Sequence, residues 1–181
     1  MKVSYGCMPN VGAAINAHNK SIIFERKPLE RGGCNCQRGR YRNNCPLQGE
    51  CLSENVLYEA TVTSDLPNYG ERHYKGVTKG PWKERLGNHV KDFGDKKYEK
   101  STALSKEIWR LKDANANYNI SWRIIKQHNA YIPATKRCIL CINEKFEILE
   151  NIGPNQLNQR SELISTCRHR HRYKLSQYDV K

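Results

Sequence analysis

Four cysteines, Cys34, Cys36, Cys45 and Cys51, fall within eighteen residues of one another. The surrounding stretch, residues 25–50, contains glycines and prolines that interrupt any regular helix or long strand. The cysteine segment also has almost no apolar side chains around which to fold. A bound metal can supply the missing folding free energy, because four thiolates form the ligand set of a tetrahedral zinc site. We therefore predict a structural Zn²⁺ held by these four cysteines.

Two competing interpretations of this stretch need no metal. A secreted protein pairs its cysteines in disulfides, but residues 1–7 lack the apolar segment of a secretory signal. Without such a signal the expected compartment is reducing, where clustered cysteines more often bind metal. The second alternative is a flexible linker with incidental reduced cysteines.

Another group of metal-ligand residue types lies nearer the carboxyl terminus and comprises Cys138, Cys141, Cys167 and His169. On a helix, Cys138 and Cys141 share one face, and a single turn does not easily wrap a metal ion. We expect small thiols that pack on the core, with a second metal site as the alternative.

The chain of 181 residues carries 31 Lys and Arg against 18 Asp and Glu, a formal net charge of +13. This positive excess predicts a polyanionic partner, nucleic acid first and an anionic membrane surface second. No apolar run approaches the roughly 20 residues that a membrane span needs. Hydrophobic residues make up 38% of the chain, so we expect one domain, or one with a small satellite, and a modest core.

Hydrophobic periodicity predicts an α+β domain with a small three-stranded antiparallel sheet flanked by helices. Apolar residues alternate over 56–62, which indicates a half-buried strand, and a turn over 66–70 makes a hairpin with the next strand. Helical spacing of Leu104, Ile108 and Leu111, and again of Ile142, Phe146 and Leu149, is typical of amphipathic helices. The predicted elements are strands 56–62 and 72–77, helices 81–93 and 102–111, strand 119–125 and helix 134–149.

Four regions follow from these patterns. Residues 1–24 form an amino-terminal extension with a short helical candidate, and residues 25–54 form the cysteine-rich zinc module. Residues 55–165 form the α+β domain, and residues 166–181 form a basic tail.

Several polar residues of the α+β domain suit the cleavage of a phosphodiester. That reaction needs a base for water, cations for the phosphoryl oxygens, and a metal or acid for the leaving oxygen. Arg85 and His89 share one face of a predicted helix and could reach a single phosphate. Glu144 is a hard ligand for one Mg²⁺ or Mn²⁺. Tyr58 and Tyr74 would point from neighbouring strands into the same site.

Each candidate also has a structural interpretation. Tyrosine favours sheets, and Arg85 and His89 could form a solvated helix face. Glu144 beside Lys145 could be a surface ion pair worth less than ~1 kcal/mol. Asn158 could equally cap a helix.

The ordered set of these residues resembles the motifs of the GIY-YIG endonuclease family, over about residues 56–165. Val56-Leu57-Tyr58 stands where the family has Gly-Ile-Tyr, and Tyr74-Lys75-Gly76 stands where it has Tyr-Ile-Gly. The Arg85–His89 pair, then Glu144 and then Asn158 follow in the family's order. The missing first glycine and the lysine in the second motif bear on turn geometry more than on chemistry.

This resemblance implies a role for each residue. Tyr58 is the general base, Arg85 orients the phosphate, and Glu144 binds the catalytic metal. Tyr74 and His89 support the water and the proton traffic. A phenol with a pKa near 10 is a poor base at neutral pH unless cations lower that pKa. Arg85 and His89 would be those cations, with Lys75 as a further candidate.

A closer resemblance covers nearly the whole chain. Residues 3–10, the cysteine module, residues 137–145 and residues 157–163 look like the carboxy-terminal endonuclease region of Penelope-like retroelements. In that family the domain follows a reverse transcriptase and nicks chromosomal DNA for target-primed insertion. The resemblance implies DNA as substrate, a reverse transcriptase domain or element RNA as further partner, and a nuclear location. Since a polymerase does not fit in this length, we expect a fragment, a truncated copy or a stand-alone derivative.

Together with these resemblances, the sequence predicts a divalent-metal-dependent DNA endonuclease with an amino-terminal zinc module that grips DNA. A single active site indicates nicking of one strand at a time, whereas double-strand cuts would need a dimer or sequential nicks. The alternative is a catalytically inactive zinc- and nucleic-acid-binding module from a decayed element copy. A structural ribosome-associated protein is a third, more distant alternative.

Overall fold

A computed structural model of the chain describes residues 32–36, 45–128 and 138–158. The extension predicted for residues 1–24 and the basic tail predicted for residues 166–181 lie outside the described residues. The elements are β1 (Val56–Ser64), β2 (Glu71–Thr78), α1 (Trp82–Gly94), a 3-10 helix (Lys96–Tyr98), α2 (Ala103–Asp113), β3 (Tyr118–Gln127) and α3 (Ile139–Glu150). The predicted α+β class is confirmed.

β1 is the central strand of a three-stranded antiparallel sheet with the order β2-β1-β3. Tyr58 on β1 lies opposite Gly76 on β2 and opposite Ile124 on β3. The hairpin turn contains Asn68 and Gly70 with φ of 59° and 67°, a left-handed conformation that these two residue types adopt at low cost. The predicted hairpin is confirmed.

The two faces of the sheet are covered by different helices. Successive side chains of a strand point to opposite faces, and on one face Tyr58 and Trp122 pack against α1 and α2 in the main core. On the other face, Leu57 packs with Cys138 and Leu140, at the start of α3. The sheet therefore lies between α3 and the other two helices.

α2 folds as the sequence predicts. Its side-chain cap is Thr102, whose Oγ1 accepts a hydrogen bond from the Ser105 N–H at 3.0 Å. Leu104, Ile108 and Leu111 share one helix face and are fully buried.

α3 begins later than predicted. The backbone of Cys138 is extended, with φ −109° and ψ 97°, so the helix begins at Ile139, five residues after the predicted start. Residues 134–137 lie outside the described residues. None of the helices in the described ranges is long and apolar enough to cross a membrane.

The apolar residues that predicted α3 do not form its buried face. Ile142, Phe146 and Leu149 are 50%, 52% and 49% exposed, whereas Leu140 and Ile148 are buried. Helical spacing indicates a helix, but the opposite face of α3 carries the residues that contact the sheet.

A segment after α3 runs along the outer edge of β2. The His73 N–H donates to the Asn155 carbonyl and the Leu157 N–H donates to the His73 carbonyl, each at 2.8 Å. The Asn158 Oδ1 accepts from the Lys75 N–H at 2.7 Å, and its Nδ2 donates to the Lys75 carbonyl at 2.8 Å. These bonds fix the middle of β2.

The cysteine-rich loop shares its core with the sheet. Cys36, Leu47 and Cys51 belong to the same buried cluster as Tyr58 and Trp82. A tight turn at Gln48-Gly49, with φ of 52° and 88°, returns the chain from Cys45 toward Cys51. The loop therefore packs on the first helix and the central strand.

Candidate active site and metal centre

Tyr58 lies at the centre of a cluster of predicted site residues. Its hydroxyl is 2.7 Å from the His89 Nε2, and it accepts a hydrogen bond from the Arg85 Nε at 2.9 Å. The ring centroids of Tyr58 and Tyr74 are 6.4 Å apart, and Tyr74 meets the His89 ring edge-on at 5.9 Å. Four of the six predicted site residues, from β1, β2 and α1, thus come together.

The buried face of α1 places Arg85 and His89 next to the Tyr58 hydroxyl. Trp82, Leu86, His89 and Phe93 are buried and recur at helical spacing, so they face the sheet. Arg85 lies on the flank of that face and is half-buried. The helix therefore presents a buried imidazole and a partly exposed guanidinium to the same phenol.

Gly76 makes room for the Tyr58 phenol. A Cβ atom at position 76 would lie 2.5 Å from the Tyr58 hydroxyl and 2.7 Å from its Cζ, far inside van der Waals contact. The glycine of the Tyr74-Lys75-Gly76 motif is thus required by close packing across the strand pair, which the predicted hairpin register alone did not reveal.

Two tryptophans outside the predicted set of site residues enclose the cluster. The Trp82 ring lies 4.1 Å from the Tyr58 ring, and the Trp122 ring lies 5.4 Å from the His89 ring. Trp82 is three residues before Arg85 and seven before His89, a helical spacing that could have identified it. The rings exclude water from the Tyr58–His89 hydrogen bond.

Burial and neighbouring groups shift the pKa values of His89 and Arg85 on α1. Burial, reinforced by the nearby Arg85 charge, lowers the pKa of His89 to about 3, so the imidazole is neutral at physiological pH. Burial disfavours the Arg85 charge, but the phenols of Tyr58 and Tyr74 outweigh that effect and raise the pKa of Arg85. Of the cations expected at this site, only Arg85 is charged beside Tyr58. The expectation that His89 is a cation is wrong, and so is the expectation that Lys75 acts on Tyr58, since its ammonium is buried against Glu59 instead.

The direction of the Tyr58–His89 hydrogen bond depends on the tautomer of His89. Nδ1 is buried and has no hydrogen-bond partner among the described residues. With the ring hydrogen on Nδ1, Nε2 accepts from a neutral Tyr58 hydroxyl; with the hydrogen on Nε2, the ring donates to a Tyr58 phenolate. In the second form the Tyr58 oxygen receives N–H donors from both Arg85 and His89.

The other two predicted site residues lie elsewhere. Glu144 is on α3, and α3 packs on the sheet face opposite Tyr58, where Leu140 packs with Leu57. Asn158 lies at the edge of β2, where its amide also accepts from the Gln156 Nε2 at 2.6 Å. Asn158 therefore positions the backbone of the second tyrosine motif.

A buried ion network on that opposite face was not predicted. The Lys75 Nζ lies 3.6 Å from the Glu59 Oε1 and 3.6 Å from the Glu147 Oε2. Lys75 and Glu59 are each only 4% exposed. Glu147 also pairs with Lys126 at 2.7 Å, and Glu59 pairs with Arg123. Lys75, at the middle of the second motif, thus ties α3 to β2.

The four cysteines of the amino-terminal module come together as predicted. Their sulfur atoms all lie within 4.8 Å of one another, and the Cys36 sulfur is 3.6 Å from that of Cys51 and 3.8 Å from that of Cys45. Sulfurs at the corners of a zinc tetrahedron with bonds of about 2.3 Å are about 3.8 Å apart. These separations exceed the roughly 2 Å of a disulfide bond, so the cluster could hold a metal such as zinc.

The thiols of the cluster do not ionise together unaided. Burial raises the pKa of Cys36 to about 12 and also raises the pKa of Cys51. The exposed Cys34 has its pKa lowered to about 7 by the Cys36 N–H and by the neighbouring thiols. Four adjacent thiolates form only when a bound cation balances their negative charge. This chemistry is consistent with a metal centre.

Cys138 and Cys141 pack on the core, as expected. Cys138 is buried with Leu57 and Leu140, and Cys141 packs against that cluster. Cys167 and His169 lie outside the described residues. Among the residues that the structure describes, the amino-terminal cysteines form the one group of three or more His, Cys, Asp and Glu side chains close enough to bind one metal ion.

Compared with known proteins, the chain matches no family model, no curated protein and no solved structure.

Proposed function

We propose that the protein is a metal-dependent DNA endonuclease that hydrolyses phosphodiester bonds, most simply by nicking one strand at a time. The observation that carries the proposal is the pair of hydrogen bonds at the Tyr58 oxygen, from Arg85 at 2.9 Å and with His89 at 2.7 Å. Two N–H donors on one oxygen stabilise negative charge there. A phenolate in this position is a general base for water.

Arg85 has the second role in this reaction. It is half-buried, whereas Tyr58, Tyr74 and His89 are buried, so an approaching phosphate meets the guanidinium first. A guanidinium binds phosphate oxygens through a planar fork of donors. Binding of the phosphate by Arg85 would bring the scissile bond next to the Tyr58 oxygen.

His89 and Tyr74 complete the cluster. The neutral imidazole holds the Tyr58 oxygen through the Nε2 hydrogen and adds no charge that would compete with Arg85 for the phosphate. The Tyr74 ring contacts the His89 ring and orients it. Both residues support the base without touching the phosphate themselves.

Glu144 would hold the catalytic cation in this proposal, although α3 carries it on the sheet face opposite Tyr58. Mg²⁺ is commonly bound by one or two carboxylates together with waters and substrate phosphates, so a single glutamate suits it, and Mn²⁺ takes the same ligands. When bound, the ion neutralises charge on the phosphoryl and leaving oxygens. The four amino-terminal cysteines would hold a structural Zn²⁺ as a separate site.

The substrate class follows from charge and resemblance. A net charge of +13 suits a nucleic acid, and the likeness to Penelope-like endonucleases favours chromosomal DNA. The same likeness makes a reverse transcriptase domain or element RNA the proposed further partner and the nucleus the proposed location.

A second candidate function is a catalytically inactive zinc- and nucleic-acid-binding module. Two observations favour it. Tyr58 has no exposed surface, and α3, which carries Glu144, packs on the sheet face opposite Tyr58. A decayed active site would retain the packing of the tyrosines and the metal loop without turnover.

The deciding experiment is relaxation of supercoiled plasmid by the full chain with Mg²⁺ or Mn²⁺, with zinc measured on the same sample. We expect nicking by the wild type and a loss of at least about 100-fold in Tyr58→Phe, the scale of general base catalysis. Glu144→Gln should lose activity to a similar degree. The matched controls are Tyr98→Phe and Glu150→Gln, which should nick normally. Wild-type protein that binds DNA without nicking it would establish the second candidate.

A further inference from the structure

The first turn of α1 is completed by the cysteine-rich loop. The helix begins after Pro81, and no side chain caps it. The Trp82 N–H donates to the Ser53 carbonyl at 2.9 Å, and the Lys83 N–H donates to the Cys51 carbonyl at 2.8 Å. The first N–H groups of a helix have no partner within it. Here two of them depend on backbone acceptors in the loop.

This arrangement differs from that of the other helix on the same sheet face. α2 takes its cap from Thr102, which immediately precedes it. α1 instead takes its acceptors from Cys51 and Ser53, about thirty positions before its start and inside the cysteine module. The start of α1 is therefore only as well fixed as that loop.

Cys51 is held through both its side chain and its backbone carbonyl. Its sulfur belongs to the four-cysteine cluster and its carbonyl accepts the Lys83 N–H. A second link joins the same two segments, since the Lys83 Nζ donates to the Asn35 Oδ1 at 3.0 Å. Asn35 lies between Cys34 and Cys36, so both links end within the segment that carries the four cysteines.

The same turn of α1 leads directly into the candidate active site. Trp82 is 1% exposed and its ring lies 4.1 Å from that of Tyr58. Arg85 and His89 follow within the next two turns and bond the Tyr58 oxygen. Because a helix is stiff, the position of its first turn sets the position of both side chains.

We propose that metal bound by the four cysteines positions Arg85 and His89 against Tyr58, acting through the carbonyls of Cys51 and Ser53. Cys51 and Ser53 are positioning residues in this account. The inference rests on the proposed metal site and extends the proposed nuclease function, because it makes the zinc loop part of the active-site framework. Zinc removal should then loosen the start of α1 before the rest of the domain.

Amide hydrogen exchange tests this coupling without requiring activity. The full chain is compared with zinc bound and after chelation, at the N–H groups of Trp82 and Lys83, with the Ser105 N–H as internal control because Thr102 caps it. We expect exchange at Trp82 and Lys83 to rise by about tenfold or more on zinc removal, as for a local opening, and exchange at Ser105 to change little. Equal rises at all three sites, or no rise at Trp82 and Lys83, would overturn the proposal.

Variants separate the coupling from simple loss of the fold. Cys45→Ser weakens the metal site from a position six residues before Cys51 and should reproduce the faster exchange at Trp82 and Lys83 in zinc buffer. Leu52→Ala alters an exposed side chain in the same loop, keeps all four thiols, and should exchange like the wild type. Faster exchange in Leu52→Ala with zinc retained, or unchanged exchange in Cys45→Ser with zinc lost, counts against the proposal. Plasmid nicking is scored separately, so failure of the nuclease function and failure of the coupling are distinguishable.

Discussion

The hydroxyl of Tyr58 and the Nε2 of His89 lie 2.7 Å apart, and neither side chain has exposed surface. Because this contact excludes solvent, protonation of the imidazole would leave two cations, His89 and Arg85, on the same phenol oxygen. The contact therefore requires a neutral His89. That requirement has a measurable consequence for stability.

Acid should destabilise the protein through His89. Its pKa is about 3 in the folded chain and about 6.5 in an unfolded one, so between these values only the unfolded state binds the proton. The contribution of the neutral imidazole to the free energy of unfolding is fully present above about pH 6.5. It falls by about 1.4 kcal/mol per pH unit as the pH drops toward 3. Urea unfolding of the wild type and His89→Gln at pH 7, 5 and 4 measures it. The difference in unfolding free energy should shrink with acid, and a pH-independent difference would contradict the assignment.

Gly76→Ala should displace the Tyr58 phenol. The added methyl would meet the hydroxyl at 2.5 Å, and overpacking of this kind costs about 1–3 kcal/mol. We expect lower stability and weaker nicking. Gly87→Ala is the control, since a Cβ at this helical position meets nothing within 4 Å, and it should be neutral or slightly stabilising. Normal nicking by Gly76→Ala would show that the phenol position is not critical.

Lys75→Met should destabilise the fold by up to about 3 kcal/mol. It removes the buried cation that Glu59 and Glu147 share and leaves them only their pairs with Arg123 and Lys126. Adding Glu147→Gln to this variant should restore part of the loss. The control is Lys96→Met, which removes an exposed pair with Asp113 and should change little. Thermal unfolding of the four proteins tests this, and an equal effect at both lysines would refute the buried network.

Asn158→Ala should weaken the edge of β2. The change leaves the N–H and the carbonyl of Lys75 without their amide partners, at a cost of about 1–3 kcal/mol. Asn151→Ala removes one exposed bond to the Glu147 carbonyl and is the matched control. If Asn158→Ala abolished nicking with no change in unfolding free energy, Asn158 would act in the chemistry rather than as a positioning residue.

Local patterns were sufficient for most of the fold. The alternation over β1 and the spacing of the buried residues in α2 are set by burial on one face, which sequence records directly. The choice of face in α3 was not predictable, because Glu147 turns toward the sheet to reach Lys75, far away in the chain. The spacing of Arg85 and His89 indicated a shared site, but the neutral state of His89 depends on its burial against Phe93 and Trp122, which only the packed structure reveals.

The segment that runs along β2 also occupies a sheet edge at which a further strand could otherwise add. An open sheet edge offers N–H and carbonyl groups to any passing strand, and such edges seed aggregation and strand exchange. At His73 and Lys75 those groups are already bonded to Asn155, Leu157 and Asn158. The middle of this edge is therefore closed to strand addition, because the few residues after α3 already occupy the N–H and carbonyl groups that a further strand would use.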